Sequence, residues 1–240
     1  MIYVLSPIIY EKLNGLWFEG APYKRETIYE IKKEGSPPVN YSQYTLKPHS
    51  LPHIESPLHV NDASASIDHY FKKQTFDFFH GKCLLLKLKN TKFKETETSG
   101  IFHWEITRDE LKNHIYHLMG ENYIIEKIAL TICDEELPLN EFGGHDPNFV
   151  ITLSIEAANY LSEQVSYNAY LTSWKSSDFQ PGKKDRPIHN ILFKKGLIYE
   201  CLNFRNIPEG EYYFVGFPLP LENASESPCC PIFFSKDHFK

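Results

Sequence analysis

The chain has 240 residues, 25 basic and 31 acidic side chains, a formal charge of -6, 42% hydrophobic and 15% aromatic residues. That length and aromatic content suit one packed domain spanning 1–240 rather than a disordered chain, and interspersed charge with an acidic excess offers no footprint for nucleic acid or anionic lipid. No uncharged apolar run approaches the roughly 18 residues that span a bilayer, so neither nucleic acid nor membrane is expected as a partner.

Met1 to Glu11 lacks a basic leader and a small-residue cleavage site and reads as a first strand. Gly20 to Tyr44 is polar, proline-containing and weakly periodic, as expected of a long surface excursion or lid. Cys83 to Lys89 reads as a buried strand. Thr107-Arg-Asp-Glu110 is a capping box, with Ile106 and Leu111 placed as a hydrophobic staple, and it opens a helix that Gly120 ends. Ile124 to Cys133 follows as a strand, and Ser154 caps a helix through Glu163 in which Ile155, Ala158 and Leu161 share a face. Strands are expected near 168–174, 196–203 and 211–218, giving an α/β chain with a strand-rich C-terminal third. The cysteines at 83, 133, 201, 229 and 230 lack paired spacing and suggest reduced thiols in a cytoplasmic setting. Cys229 and Cys230 are expected as two small buried hydrophobes in a strand.

The densest chemistry lies in His49-Ser-Leu-Pro-His53-Ile-Glu55-Ser-Pro57-Leu-His59, three imidazoles and a carboxylate in one short segment. Such donors suit zinc or manganese. Pro48, Pro52 and Pro57 exclude an ordinary helix, so the segment is extended or looped. In an extended chain the four odd-numbered side chains share a face, yet His49 and His53 would stand about 13 Å apart on a flat strand. A common ion therefore requires a turn near Leu51-Pro52 and a second change of direction at Pro57. Glu200, within the apolar stretch Leu197 to Leu202, needs a charge partner of its own, which a metal provides.

The pattern His-x-x-x-His-x-acid-x-Pro-x-His resembles the signature of the metal-dependent cyclase family, which includes bacterial kynurenine formamidases and isatin hydrolases. Leu51 and Pro52 stand where that family has glycine and threonine, and Glu55 where it has aspartate. His189 through Asn203, Gly210 to Leu221 and Ser227-Pro228 resemble later elements of the family, so the likeness runs over most of 45–235. It implies a single-domain β/α/β sandwich-like barrel of the cyclase/kynurenine formamidase type. It also implies His49, His53, Glu55, His189 and Glu200 as ligands of one or two zinc or manganese ions, and His59 as the acid/base. Homodimers or homotetramers are implied by resemblance alone.

From these roles follows a metal-dependent hydrolase that opens an amide, formamide or lactone by metal-bound hydroxide, with an arylformamide such as N-formylkynurenine the most specific substrate. The alternative, motivated by the departures at 51, 52 and 55, is a catalytically silent metal-binding relative that holds a small ligand or assembles. Ser176 and Asp178 are candidates to hydrogen-bond His189. His114 and His117 share a helix without an acid to complete a site, and His145-Asp146 reads as a solvated turn after Gly143-Gly144. Trp174, Tyr199, Tyr212 and Tyr213 are expected in core packing rather than in stacking on substrate.

Overall fold

A computed structural model describes residues 1–17, 19–138, 145–179 and 185–239, and Gly143-Gly144 lie outside the described residues. After strand β1 (Ile2–Val4), the expected surface excursion is instead a hairpin, β2 (Tyr23–Tyr29) against β3 (Tyr41–Leu46). Its sequence hides the strands because nearly every residue is half-buried or exposed, so neither face imposes alternation. A 3-10 turn at Pro48–Ser50 leads into β4 (His53–Glu55), and a second at Pro57–His59 leaves it. They fall where a shared ion requires the two changes of direction.

Helix α1 (Ile67–Lys72) precedes β5 (His80–Leu88), and the short strands β6 (Lys94–Glu95) and β7 (Phe102–Ile106) lead to α2 (Arg108–Met119). The capping box holds in both directions: the Thr107 hydroxyl accepts from Glu110 N at 3.2 Å, and Glu110 Oε2 accepts from Thr107 N at 2.9 Å. Gly120, at φ 88°, ends the helix where a side chain would be strained. Next come β8 (Lys127–Ile132), β9 (Phe149–Leu153) and α3 (Ile155–Ser162), which Ser154 caps by accepting from Ala157 N. Ala158 and Leu161 are buried as expected, but Ile155 is 43% exposed. Three-residue steps in a 3.6-residue helix each drift by about 60°, and the buried stripe is set by Ala157, Ala158, Leu161 and Ser162, which leaves Ile155 at its margin.

The chain continues through β10 (Ala169–Thr172), α4 (Pro187–Leu192), β11 (Leu197–Glu200), β12 (Gly210–Val215), β13 (Glu226–Pro228) and β14 (Ile232–Ser235). Among the described residues, nine strands form one curled sheet in the order β1-β14-β12-β5-β8-β10-β11-β4-β13. Its centre, β5-β8-β10-β11, is parallel, and the crossovers run through α2, α3 and α4. Parallel strands covered on both faces must be apolar on both, as Leu84 through Leu86, Ile128 through Leu130 and Leu197 through Tyr199 are. Leu84, Leu86, Ile128, Leu130 and Ile198 join Leu111, Ile115, Ala158 and Leu161 in a core beneath the helices. Cys83, Leu85, Ala129, Leu197 and Tyr199 join Ile67, Phe79, Phe214 and Phe233 in a second core on the other side. The architecture is thus single-domain α/β, as expected. Tyr199 and Tyr212 are buried in it, while Tyr213 is 40% exposed. Cys229 is half-buried and Cys230 exposed, which corrects the expected buried pair: only Cys229 bridges, to Pro218, beyond the end of β13.

Candidate metal centre

The sheet brings distant parts of the sequence together at β11-β4-β13. His53 on β4 stands opposite Glu200 on β11, and Glu55 stands opposite Glu226 on β13. Residues two apart on one strand, and residues opposite one another across strands, share a face, so these four side chains project together. Cys201, at φ 60°, turns the chain immediately after Glu200, and its thiol lies 3.6 Å from the carbonyl of His49.

His189 reaches the same point from helix α4. Asp178 accepts from Ile188 N at 2.9 Å and His189 N at 3.1 Å, which ties down the first turn, and also lies 2.6 Å from His189 Nδ1. The opposite ring nitrogen, Nε2, therefore points at Glu55, 3.1 Å away, and at Glu200, 3.6 Å away. Sequence reasoning missed α4 as a helix, although Pro187 just before His189 is a helix-start signal. Ser176 serves differently from its expected role, accepting from Arg186 and Asp178 N, while Ser177 donates to Glu200 at 2.7 Å.

All six residues singled out from the sequence lie in this one place. Two donor clusters occur among the described residues: His53, Glu55 and Glu200, all buried, and His49, Glu55 and His59, of which the histidines are half-buried. Glu55 belongs to both, and within each cluster the ligand atoms lie within 4.8 Å of one another. Glu55 Oε1 is 3.5 Å from His49 and 3.4 Å from both His53 and His59. The His49 ring centroid lies 5.1 Å from that of His53 and 5.0 Å from that of His59.

Burial opposes charge on Glu55, but hydrogen bonds to His189 and His53 outweigh it and hold the carboxyl well below the usual range. Burial likewise opposes a proton on His189, yet Asp178 and Glu55 raise the imidazole to about 10. Glu200 is pushed up, first by burial and then by the charge of Glu55. Two carboxylates buried side by side are costly unless a cation lies between them. A divalent ion would relieve that repulsion, and the imidazole and carboxylate donors are those that zinc and manganese accept, so the residues fit such an ion.

Glu226 was not singled out from the sequence, although the neighbouring Ser227-Pro228 was. Its oxygens lie 3.7 Å from His49 Nε2 and 3.8 Å from His59 Nδ1, and contact with His59 draws its pKa down to about 2. His49, His59 and Glu226 form the exposed side of the cluster, with side chains 31%, 17% and 23% accessible. A cavity of about 740 Å³ abuts the centre through Ser50, Pro52, Asp178 and Cys201, yet none of the cluster histidines lines it. His145 lines that cavity and is buried, stacked on Trp174 at 4.4 Å, rather than lying in a solvated turn. His114 pairs with Glu209 at 2.5 Å and joins no donor cluster among the described residues.

No family model matches the chain. It is 26% identical to a kynurenine formamidase of Bacillus mycoides (strain KBAB4) over 215 residues, 88% of this chain and 87% of the relative. It is 24% identical to a kynurenine formamidase of Paracidovorax citrulli (strain AAC00-1) over 194 residues, 80% of this chain and 78% of the relative. Among solved structures, a potential metal-dependent hydrolase with cyclase activity superposes with a TM-score of 0.69 at 21% identity, covering 99% of this chain and 98% of its own. An isatin hydrolase bound to the product analogue thioisatinate gives 0.72 at 16% identity, covering 98% and 92%. Sequence likeness over four-fifths or more of the chain and fold likeness over nearly all of it point the same way: the chain resembles the metal-dependent cyclase family, as its histidine segment had suggested.

Proposed function

We propose that this protein is a metal-dependent hydrolase that cleaves the carbon-nitrogen bond of an amide or formamide, or opens a lactone, with an arylformamide of the N-formylkynurenine kind as the most specific substrate. The observation that carries it is the convergence of four imidazoles and three glutamates, drawn from β4, α4, β11, β13 and the turns flanking β4, on one partly open point of the sheet. His49, His53, Glu55, His189 and Glu200 would hold one or two ions, zinc or manganese. When bound, the ion supplies Lewis acidity, polarising a carbonyl and lowering the pKa of water.

The chain's own residues do the rest. Asp178 holds Nδ1 of His189 so that Nε2 faces the carboxylates, and the carbonyl of Leu51, 2.8 Å from Nδ1 of His53, does the same for that ring. Ser177 donates to Glu200 and fixes its oxygens. His59 lies at the accessible side with Nε2 turned toward Glu55, where an imidazole can take a proton and return it to the departing nitrogen. Its partial exposure lets a small-molecule substrate reach it. Homo-oligomers of this chain, as the resemblance implies, complete the proposal.

Elemental analysis and a panel of amides, arylformamides and lactones test it together. His59→Ala should retain the wild-type metal content and lose about 100-fold or more in turnover, the range general acid-base catalysis supplies. A metal-loaded wild type that turns over nothing on the panel with zinc or manganese would favour the silent alternative.

A further inference from the structure

A histidine that ligates a metal through one ring nitrogen normally donates the other N–H to a fixed acceptor, which sets the tautomer and the ring orientation. For the two buried imidazoles these acceptors are plain: the Leu51 carbonyl for His53, at 2.8 Å from Nδ1, and Asp178 for His189, at 2.6 Å from Nδ1. Both rings thus present Nε2 to Glu55, at 3.4 and 3.1 Å. His49 is turned the other way. Its Nδ1 lies 3.5 Å from Glu55, and its outer Nε2 lies 3.7 Å from Oε1 of Glu226. The second oxygen of the same carboxylate lies 3.8 Å from Nδ1 of His59, whose Nε2 faces Glu55 at 3.4 Å.

We propose that Glu226 is the positioning residue of the open half of the centre: one carboxylate spans His49 and His59, accepts the outer N–H of each, and so decides which nitrogen of each ring turns inward. The inference rests on the metal-centre assignment above. The spans of 3.7 and 3.8 Å are ion-pair distances, and N–H donation shortens them toward about 2.8 Å.

The carboxylate is itself held. Glu226 sits on β13 in register with Glu55, and the Ser225 hydroxyl donates to its Oε2. The carbonyl of Ser225 accepts from both the backbone N and the hydroxyl of Ser56, at 2.9 and 3.0 Å, which stitches this segment to the end of β4. The need for such a device is greatest here, because His49 and His59 are the rings that packing confines least. One residue at 226 then sets both a metal ligand and the acid/base, so the two are coupled in this chain.

Imidazole nitrogen NMR of zinc-loaded, histidine-labelled protein reads the tautomer of each ring. In Glu226→Ala the signals of His49 and His59 should change tautomer population while those of His53 and His189 stay as in the wild type. Competition with a chromophoric chelator should show zinc held about 10- to 100-fold more weakly in Glu226→Ala, with Glu226→Gln intermediate because its amide oxygen still accepts. Asp178→Asn, which acts on the buried half, serves as the control. If it weakens zinc binding while Glu226→Ala changes neither affinity nor tautomers, the metal centre stands and this inference falls. A wild type that binds neither zinc nor manganese overturns both. Glu226→Gln, nearly isosteric, supplies the same readouts should the alanine variant fail to fold.

Discussion

Asp178 shows how one side chain does two jobs. Its carboxylate accepts the first backbone N–H groups of α4 and touches the imidazole that the helix carries, so the helix start and the ring orientation are fixed together. His145 is the contrasting residue, a buried histidine outside the centre. Burial pushes its imidazole down to about 4, against about 6.5 in an unfolded chain. Between those values the unfolded state binds the proton and the native state does not, so the stability His145 contributes is present above pH 6.5 and is lost as pH falls toward 4. The limit is about 3 kcal/mol. Urea unfolding of metal-free protein at pH 7 and pH 5 should therefore show a larger loss in the wild type than in His145→Gln; equal losses would sink the assignment. His145 also shows a limit of the sequence, since a loop histidine after two glycines gives no sign that Trp174 will stack on it.

Elements that carry their own local signals were readable, and elements defined by partners were not. The capping box of α2 and the Ser154 cap of α3 need only neighbours within four residues, and both are found. The β2–β3 hairpin left no period because its strands pair only with each other and bury neither face. Two-stranded hairpins are marginal alone in water. A stacked pair, Tyr23–Tyr44, and a tilted one, Tyr29–Tyr41, tie its strands, yet Ile28, Ile31, Val39 and Leu46 remain exposed. Apolar side chains on such an arm suit contact with a second copy, in line with the proposed assembly. Sedimentation should show the wild type as a dimer or larger, and Ile28→Lys with Val39→Lys should shift it toward monomer; a monomeric wild type would refute this.

At the scale of the whole molecule, the centre joins β4, β11 and β13 to the helix that crosses from β10 to β11. An ion held by ligands from β4, β11 and that helix would bind the folded chain and not the unfolded one. Metal at about 1,000 times its dissociation constant then adds about 4 kcal/mol, roughly 8–16 °C in Tm for a chain of this size. Stripping the metal with a chelator should lower the melting temperature by that order and restoring zinc or manganese should recover it. An unchanged Tm would show that the cluster does not hold an ion.

The sequence by itself determined the donor types, the turns near Leu51-Pro52 and at Pro57 that a shared ion requires, the apolar strands of the parallel centre and the helix caps, because each depends on residue chemistry or on neighbours a few positions away. Its resemblance to a known signature extended that to His189 and Glu200. Only the tertiary structure decided that Glu200 stands opposite His53, that Asp178 orients His189, and that Glu226 reaches the two half-buried imidazoles. Those facts belong to strand register and crossover geometry, which depend on how two cores are packed across one sheet. No spacing along a single chain records the distance between strands that meet only after folding.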